Sequence, residues 1–128
     1  MATTTVREAR LPLAAAPAEG ERRLVQLGGR TIGVFRLDGD FFALADRCPH
    51  RGAPLCSSGE VVNAVEGVGD DARDTREGAL VRCPWHKWDF DIASGRCTVD
   101  GRLRVRRYLV RVDGEDLVVS LDAGPAAD

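Results

Sequence analysis

Apolar and polar positions alternate in short runs along most of this chain. The runs RRLVQL (22–27), TIGVFRL (31–37) and FFALA (41–45) are separated by Gly28-Gly29 and by Asp38-Gly39. Both pairs tolerate the positive φ of a type I′ turn, so they predict two tight hairpins between strands. KWDFDI (87–92) alternates again, ASG (93–95) turns, and RCTV (96–99) follows. Asp100-Gly101 and the stretch DGED (113–116) mark two further turns, and LVVSL (117–121) reads as the last strand. A first strand is predicted near Val6–Leu11. No helix-period stripe of ordinary length occurs, so the expected class is all-β, a small antiparallel sandwich or barrel.

Two stretches break the regular pattern. In RLRVRRYLVRV (102–112), Leu103 and Val105 share one parity, whereas Tyr108, Val110 and Val112 share the other. A β-bulge at Arg106-Arg107 would keep all five on the core side. The segment 57–78 carries Glu66, Asp70, Asp71, Asp74 and Glu77 among few large apolar residues. It reads as an acidic surface insertion, with a short strand at its start. The Ala/Pro-rich stretches 12–20 and 122–128 suggest loose ends around a single domain whose core runs from about 20 to 121.

Composition narrows the class of function. With 44% apolar and 30% charged residues in 128, the chain is that of one globular domain. A net charge of −2 argues against nucleic acid as the main partner. No apolar run is long enough to span a bilayer. The first residues lack the charged and apolar regions of a secretory signal. The expected location is therefore the cytoplasm, where four cysteines point to a metal centre or free thiols rather than disulfides.

The two histidines of the chain both sit beside cysteines: Cys48-x-His50 and, after 32 residues, Cys83-x-x-His86. Each cysteine precedes a proline, so each loop is stiffened. Thiolate and imidazole together suit iron–sulfur or zinc. A mononuclear Cys₂His₂ zinc module is one reading. Each loop here mixes the two donor types, which fits a binuclear centre better, one metal taking both sulfurs and the other both nitrogens. Cys56 and Cys97 read as ordinary buried thiols, with a redox-sensitive pair as the alternative. Trp88 and Phe90 read as core or shielding residues, and Trp85 as packing beside the metal centre.

The pieces CPHRGAPL and CPWHKWDFD resemble the two cluster-binding loops of Rieske [2Fe–2S] proteins, in the ferredoxin and oxygenase branches. The resemblance implies a Rieske-like antiparallel β-sandwich with a small cluster-binding subdomain at one tip. It implies one [2Fe–2S] cluster per chain, with Cys48 and Cys83 on one iron and His50 and His86 on the other. Lys87 stands where the family often has glycine, and the stretch between the loops is longer than in many relatives. The high-potential branch places hydroxyl residues where this chain has Trp88 and Phe90. It also staples its loops with a disulfide at the positions of Ala53 and Trp85. The resemblance therefore implies a potential toward the lower end of the range of about −150 to +300 mV. Imidazole ligands further imply a potential that falls in alkaline solution.

An oxygenase would need a second iron held by two further histidines, and this sequence has none to spare. No GxGxxG is present to suggest a flavin or nicotinamide fold. The resemblance thus implies an electron-transfer protein rather than an enzyme. The expected donor is a flavin-containing reductase and the expected acceptor an oxygenase or other oxidoreductase, with no role for a membrane. A small Rieske subunit of a larger oxidoreductase such as a nitrite reductase is the alternative. The arginines Arg102, Arg104, Arg106, Arg107 and Arg111 suit either an acidic partner or the protection of an edge strand.

Overall fold

The computed structural model describes residues 8–49, 52–66, 73–85, 88–98 and 100–123. Its strands are β1 (Glu8–Pro12), β2 (Arg22–Leu27), β3 (Arg30–Leu37), β4 (Asp40–Ala45), β5 (Glu60–Glu66), β6 (Arg73–Arg82), β7 (Asp89–Asp91), β8 (Arg107–Asp113) and β9 (Asp116–Ala123). The one α-helical turn among the described residues is α1 (Leu55–Ser58). Every pairing is antiparallel, in a six-stranded sheet of order β1-β9-β8-β4-β3-β2 and a three-stranded sheet β5-β6-β7. The all-β expectation holds.

The predicted hairpins form at the predicted dipeptides. Gly28 and Gly29 have φ of 59° and 76°, and Asp38 and Gly39 have φ of 54° and 82°. Both central residues of each turn are thus left-handed, which matches the twist of the flanking strands. The Glu19 carboxylate adds a lock: it accepts the backbone N–H groups of Asp38 and Gly39, each at 2.8 Å.

Strands β3 and β4 are buried on both faces, which explains why their sequences show little polar alternation. Ile32, Val34 and Ala43 face a core completed by Leu11, Leu27, Tyr108, Leu117 and Val119. Phe35 and Leu44, of opposite parity, face a second core with Leu55, Val81, Phe90, Ile92 and Val105. The edge strands β1 and β2 come into contact, so the large sheet curls around the first core.

Three expectations are corrected. The predicted first strand forms, as β1 paired with β9 along its whole length, but the Ala/Pro-rich stretch after it is held: Leu13 N–H donates to Glu115 O at 2.9 Å and Glu19 locks the Asp38-Gly39 turn. The acidic insertion begins with the expected strand, but that strand is half of the β5–β6 hairpin: Val61 and Val62 pair with Val81 and Leu80, and residues 73–78 belong to β6. Its residues 67–72, with Asp70 and Asp71, lie outside the described residues. Third, Leu103 and Val105 are not on β8. They precede it and pack in the second core, while Tyr108 and Val110 serve the first, and Val112 is 54% exposed. The register shift falls between Tyr108 and Leu109, not at Arg106-Arg107. Parity alone does not separate one bulged strand from a turn that hands apolar residues to two different cores.

Candidate metal centre

The first cysteine loop leaves the end of β4. Asp46 N–H still donates to Thr31 O at 3.0 Å, after which the chain departs from the sheet. Cys48 N–H donates to Ala53 O at 2.8 Å and Gly52 N–H to Cys48 O at 2.7 Å. These two bonds close a compact loop, and closing it requires Gly52 at φ 77°, a conformation costly for other residues. The loop then runs into α1. Asp46 holds that junction: its Oδ1 accepts Cys56 N–H at 2.6 Å and Ser57 N–H at 2.9 Å, and its Oδ2 accepts the Ser57 hydroxyl at 2.7 Å. A carboxylate at the unsatisfied N–H groups of a helical turn acts as a cap supplied from outside the helix.

The second loop is the connection of the β6–β7 hairpin. Cys83 N–H donates to Trp88 O at 2.8 Å. Below it, the paired residues Arg82 and Asp89 form a two-pronged ion pair, Nε to Oδ1 at 2.7 Å and a terminal nitrogen to Oδ2 at 3.1 Å. The Asp89 carboxylate, through this hydrogen bond first and its charge second, raises the Arg82 pKa above its ordinary value.

The two loops come from different sheets, yet Cys48 and Cys83 sit in the same core, 1% and 0% exposed. Neither is in a disulfide. Phe35, Phe90, Leu55 and Val81 pack in that core and exclude water. Of the four predicted ligands, the structure therefore places both sulfur donors together. His50 and His86 lie outside the described residues, as does Lys87.

Around the loops the aromatic residues divide. Phe90 is wholly buried and Trp88 packs against the same core, as expected. Trp85 is 58% exposed and does not pack inward. Cys56 is a buried structural thiol: desolvation first, then the Asp46 charge, push its pKa up to about 12, so it carries almost no reactive thiolate. Cys97 is also buried and unbridged, and its sulfur accepts the Asp100 N–H at 3.5 Å.

The sequence profile of the Rieske [2Fe–2S] domain matches residues 11–109. The chain belongs to that family. Among Rieske relatives, the ferredoxin component of the p-cumate 2,3-dioxygenase system of Pseudomonas putida is 31% identical over 110 residues, covering 84% of this chain and 80% of its own. Apoptosis-inducing factor 3 of Homo sapiens is 33% identical over 101 residues, but this chain spans 14% of that protein's length and the match covers 78% of this chain. Among solved structures, the ferredoxin of carbazole 1,9a-dioxygenase from Nocardioides aromaticivorans IC177 has a TM-score of 0.64 at 26% identity, covering 94% of this chain and 100% of that one.

The cofactor of this Rieske chain is a [2Fe–2S] cluster of the Rieske type, which removes the zinc reading. The described residues fit it. Two unbridged cysteines in an apolar, water-excluding pocket supply the soft sulfur donors that iron requires. Sequence reasoning singled out these cysteines but missed Asp46 and the Arg82–Asp89 pair. Asp46 lies ten residues from Cys56, and no local pattern links them. Arg82 and Asp89 gave a weak signal, as opposite charges flanking the second motif.

Proposed function

We propose that this protein is a one-electron carrier whose cluster is held by Cys48 and Cys83 through sulfur and by His50 and His86 through nitrogen. The cluster supplies reversible one-electron storage. The chain's own residues fix the two loops by the hydrogen bonds described above, and Phe35, Leu55 and Phe90 keep water from the sulfur ligands. The donor is a flavin-containing reductase, the acceptor an oxygenase or related oxidoreductase, and the compartment the cytoplasm.

The observation that carries this reading is that Cys48 and Cys83, from loops of two separate sheets, are both buried in one core and neither is in a disulfide. The relatives of similar length support it, since both are ferredoxins of dioxygenase systems. Among the described residues, no helix is long and apolar enough to cross a membrane.

The test is anaerobic purification with iron and acid-labile sulfide analysis, then single-turnover reduction by a flavin reductase and reoxidation by a Rieske oxygenase. Two irons and two sulfides per chain are expected, with one electron taken up and released. His50→Ala and His86→Ala should each abolish the normal cluster spectrum. A chain that keeps that spectrum without either histidine refutes the ligand assignment. A loaded protein that exchanges no electron with either partner type refutes the carrier.

A further inference from the structure

Beside the first cysteine loop lies an open groove of about 600 Å³, walled by Arg30, Arg47, Arg104 and Arg106 together with Asp46 and Pro49. The four arginines come from three separate segments: the start of β3, the ligand loop, and the run leading into β8. Two backbone bonds bring those segments together, Ala45 N–H to Arg106 O at 2.9 Å and Asp46 N–H to Thr31 O at 3.0 Å. All four side chains are on exposed residues.

Among the described residues, Asp46 is the one acid in the wall of this groove, and its carboxylate is already occupied by two N–H groups and a hydroxyl of α1. Among the described residues, Arg30 and Arg47 have no ion-pair partner. Arg106 lies over the Tyr108 ring at 5.0 Å and reaches Leu121 O at 3.4 Å, neither of which removes its charge. Several arginines elsewhere are matched: Arg10 with Asp113, Arg82 with Asp89, Arg102 with Asp100 and Arg111 with Glu8. A chain of net charge −2 nevertheless gathers four guanidiniums in one groove next to Cys48. Arg104 and Arg106, the two groove arginines of the series singled out in the sequence, precede β8, which lies between β9 and β4, so neither sits on an edge strand.

We propose that this groove is the docking surface for an acidic electron-transfer protein, which presents Asp and Glu carboxylates to the four guanidiniums. The proposal rests on the carrier reading and names the chemistry of its partner. Arg47 and Pro49 flank Cys48, so an occupant of the groove also touches the loop that holds a proposed sulfur ligand. The walls are mostly exposed arginine side chains around an open space, with Ala45, Pro49 and Tyr108 completing the lining. That suits a protein face bearing several carboxylates better than a small ligand.

The probe is a plant-type [2Fe–2S] ferredoxin, an acidic one-electron donor of lower potential. Stopped-flow reduction of the oxidised holoprotein is followed across a range of ionic strength, and binding of the two oxidised proteins is titrated separately. Electrostatic steering raises association rates by about 10- to 1000-fold and is screened by salt. Arg30→Gln with Arg106→Gln should therefore slow reduction about tenfold at low salt, weaken binding, and flatten the salt dependence. Arg23→Gln with Arg102→Gln makes the same change in net charge outside the groove and should alter the rate less than about twofold. The visible spectrum confirms that each variant keeps its cluster.

Equal losses from the two pairs would make net charge the cause and overturn the groove, as would no loss from either. If inorganic phosphate binds the groove while the acidic ferredoxin is indifferent to Arg30→Gln and Arg106→Gln, the site is one for small anions and the proposal fails. A holoprotein that accepts electrons from neither the ferredoxin nor a small uncharged reductant defeats the carrier reading. The binding titration then still decides the groove.

Discussion

Asp46 offers the sharpest test of how the first ligand loop is held. Its two carboxylate oxygens take three hydrogen bonds, two from the N–H groups of Cys56 and Ser57 and one from the Ser57 hydroxyl. α1 has only four residues, far too few to persist alone, and Pro54 before it provides no side-chain cap. Asp46→Ala leaves those N–H groups without their acceptor. Loss of a capping side chain costs ~0.5–2 kcal/mol, and a hydrogen bond to a charged group contributes ~1.5–3 kcal/mol. The bonds share one carboxylate at a half-buried residue, so they do not add. A loss of about 2–3 kcal/mol is expected, or roughly 10 °C in midpoint for a domain of this size. Asp46→Asn keeps an oxygen for both N–H groups and should lose about half as much. Urea unfolding followed by circular dichroism gives the stability, and bleaching of the visible absorbance gives the rate of cluster loss. Asp46→Ala should accelerate bleaching, because the α1 anchor lies at the end of the Cys48 loop. A stability within about 0.5 kcal/mol of the parent, or an Asn variant as poor as Ala, would refute the capping role.

Other expectations concern the same core. An added Cβ at Gly33 would lie 2.5 Å from Cys56 Cβ and 2.6 Å from Cys56 Sγ, so Gly33→Ala should cost about 1–3 kcal/mol in urea unfolding; an unchanged midpoint refutes the close approach. The Cys56 thiol, pushed up to about 12 by burial, keeps its proton in the folded state where the unfolded chain releases it. Its stabilisation is complete below about pH 9 and is lost as pH rises toward 12, up to ~4 kcal/mol. Stability curves for the parent and Cys56→Ala should therefore converge across that window, and parallel curves would refute it. Trp88 and Phe90 offer no hydroxyl to the sulfur pocket, so redox titration should find a midpoint toward about −150 mV, and a value above about +100 mV contradicts that reasoning.

The parts of the fold legible in the sequence were those coded by adjacent residues. Gly28-Gly29 and Asp38-Gly39 each require positive φ, which few dipeptides satisfy, and β2 to β4 followed from them. The Rieske loops were legible because donor type and spacing sit within a few residues. The N-terminal strand was legible near Val6–Leu11, but its partner was not, since its pairing with β9 is made across the whole chain. The β5–β6 hairpin was hidden by acidic residues that say nothing about backbone pairing. Leu103 and Val105 show the limit of parity: it reports that two sets of residues face opposite ways, not whether one core or two receives them. Asp46 and the arginine groove are products of long-range packing and left no local mark.

The division into two cores has a consequence for the metal centre. Ile32, Val34, Ala43, Tyr108, Leu117 and Val119 bury one face of the large sheet without using a residue of either cysteine loop. The other face, through Phe35 and Leu44, receives both loops and the β6–β7 hairpin. All four cysteines lie on that second side. The six-stranded sheet thus has its own apolar core, and the smaller sheet gains its packing only by closing over the sulfur donors. With the proposed ligands, metal binding and docking of the smaller sheet would be coupled, because the residues that bury Cys48 and Cys83 in one core are the same residues that bury the hairpin.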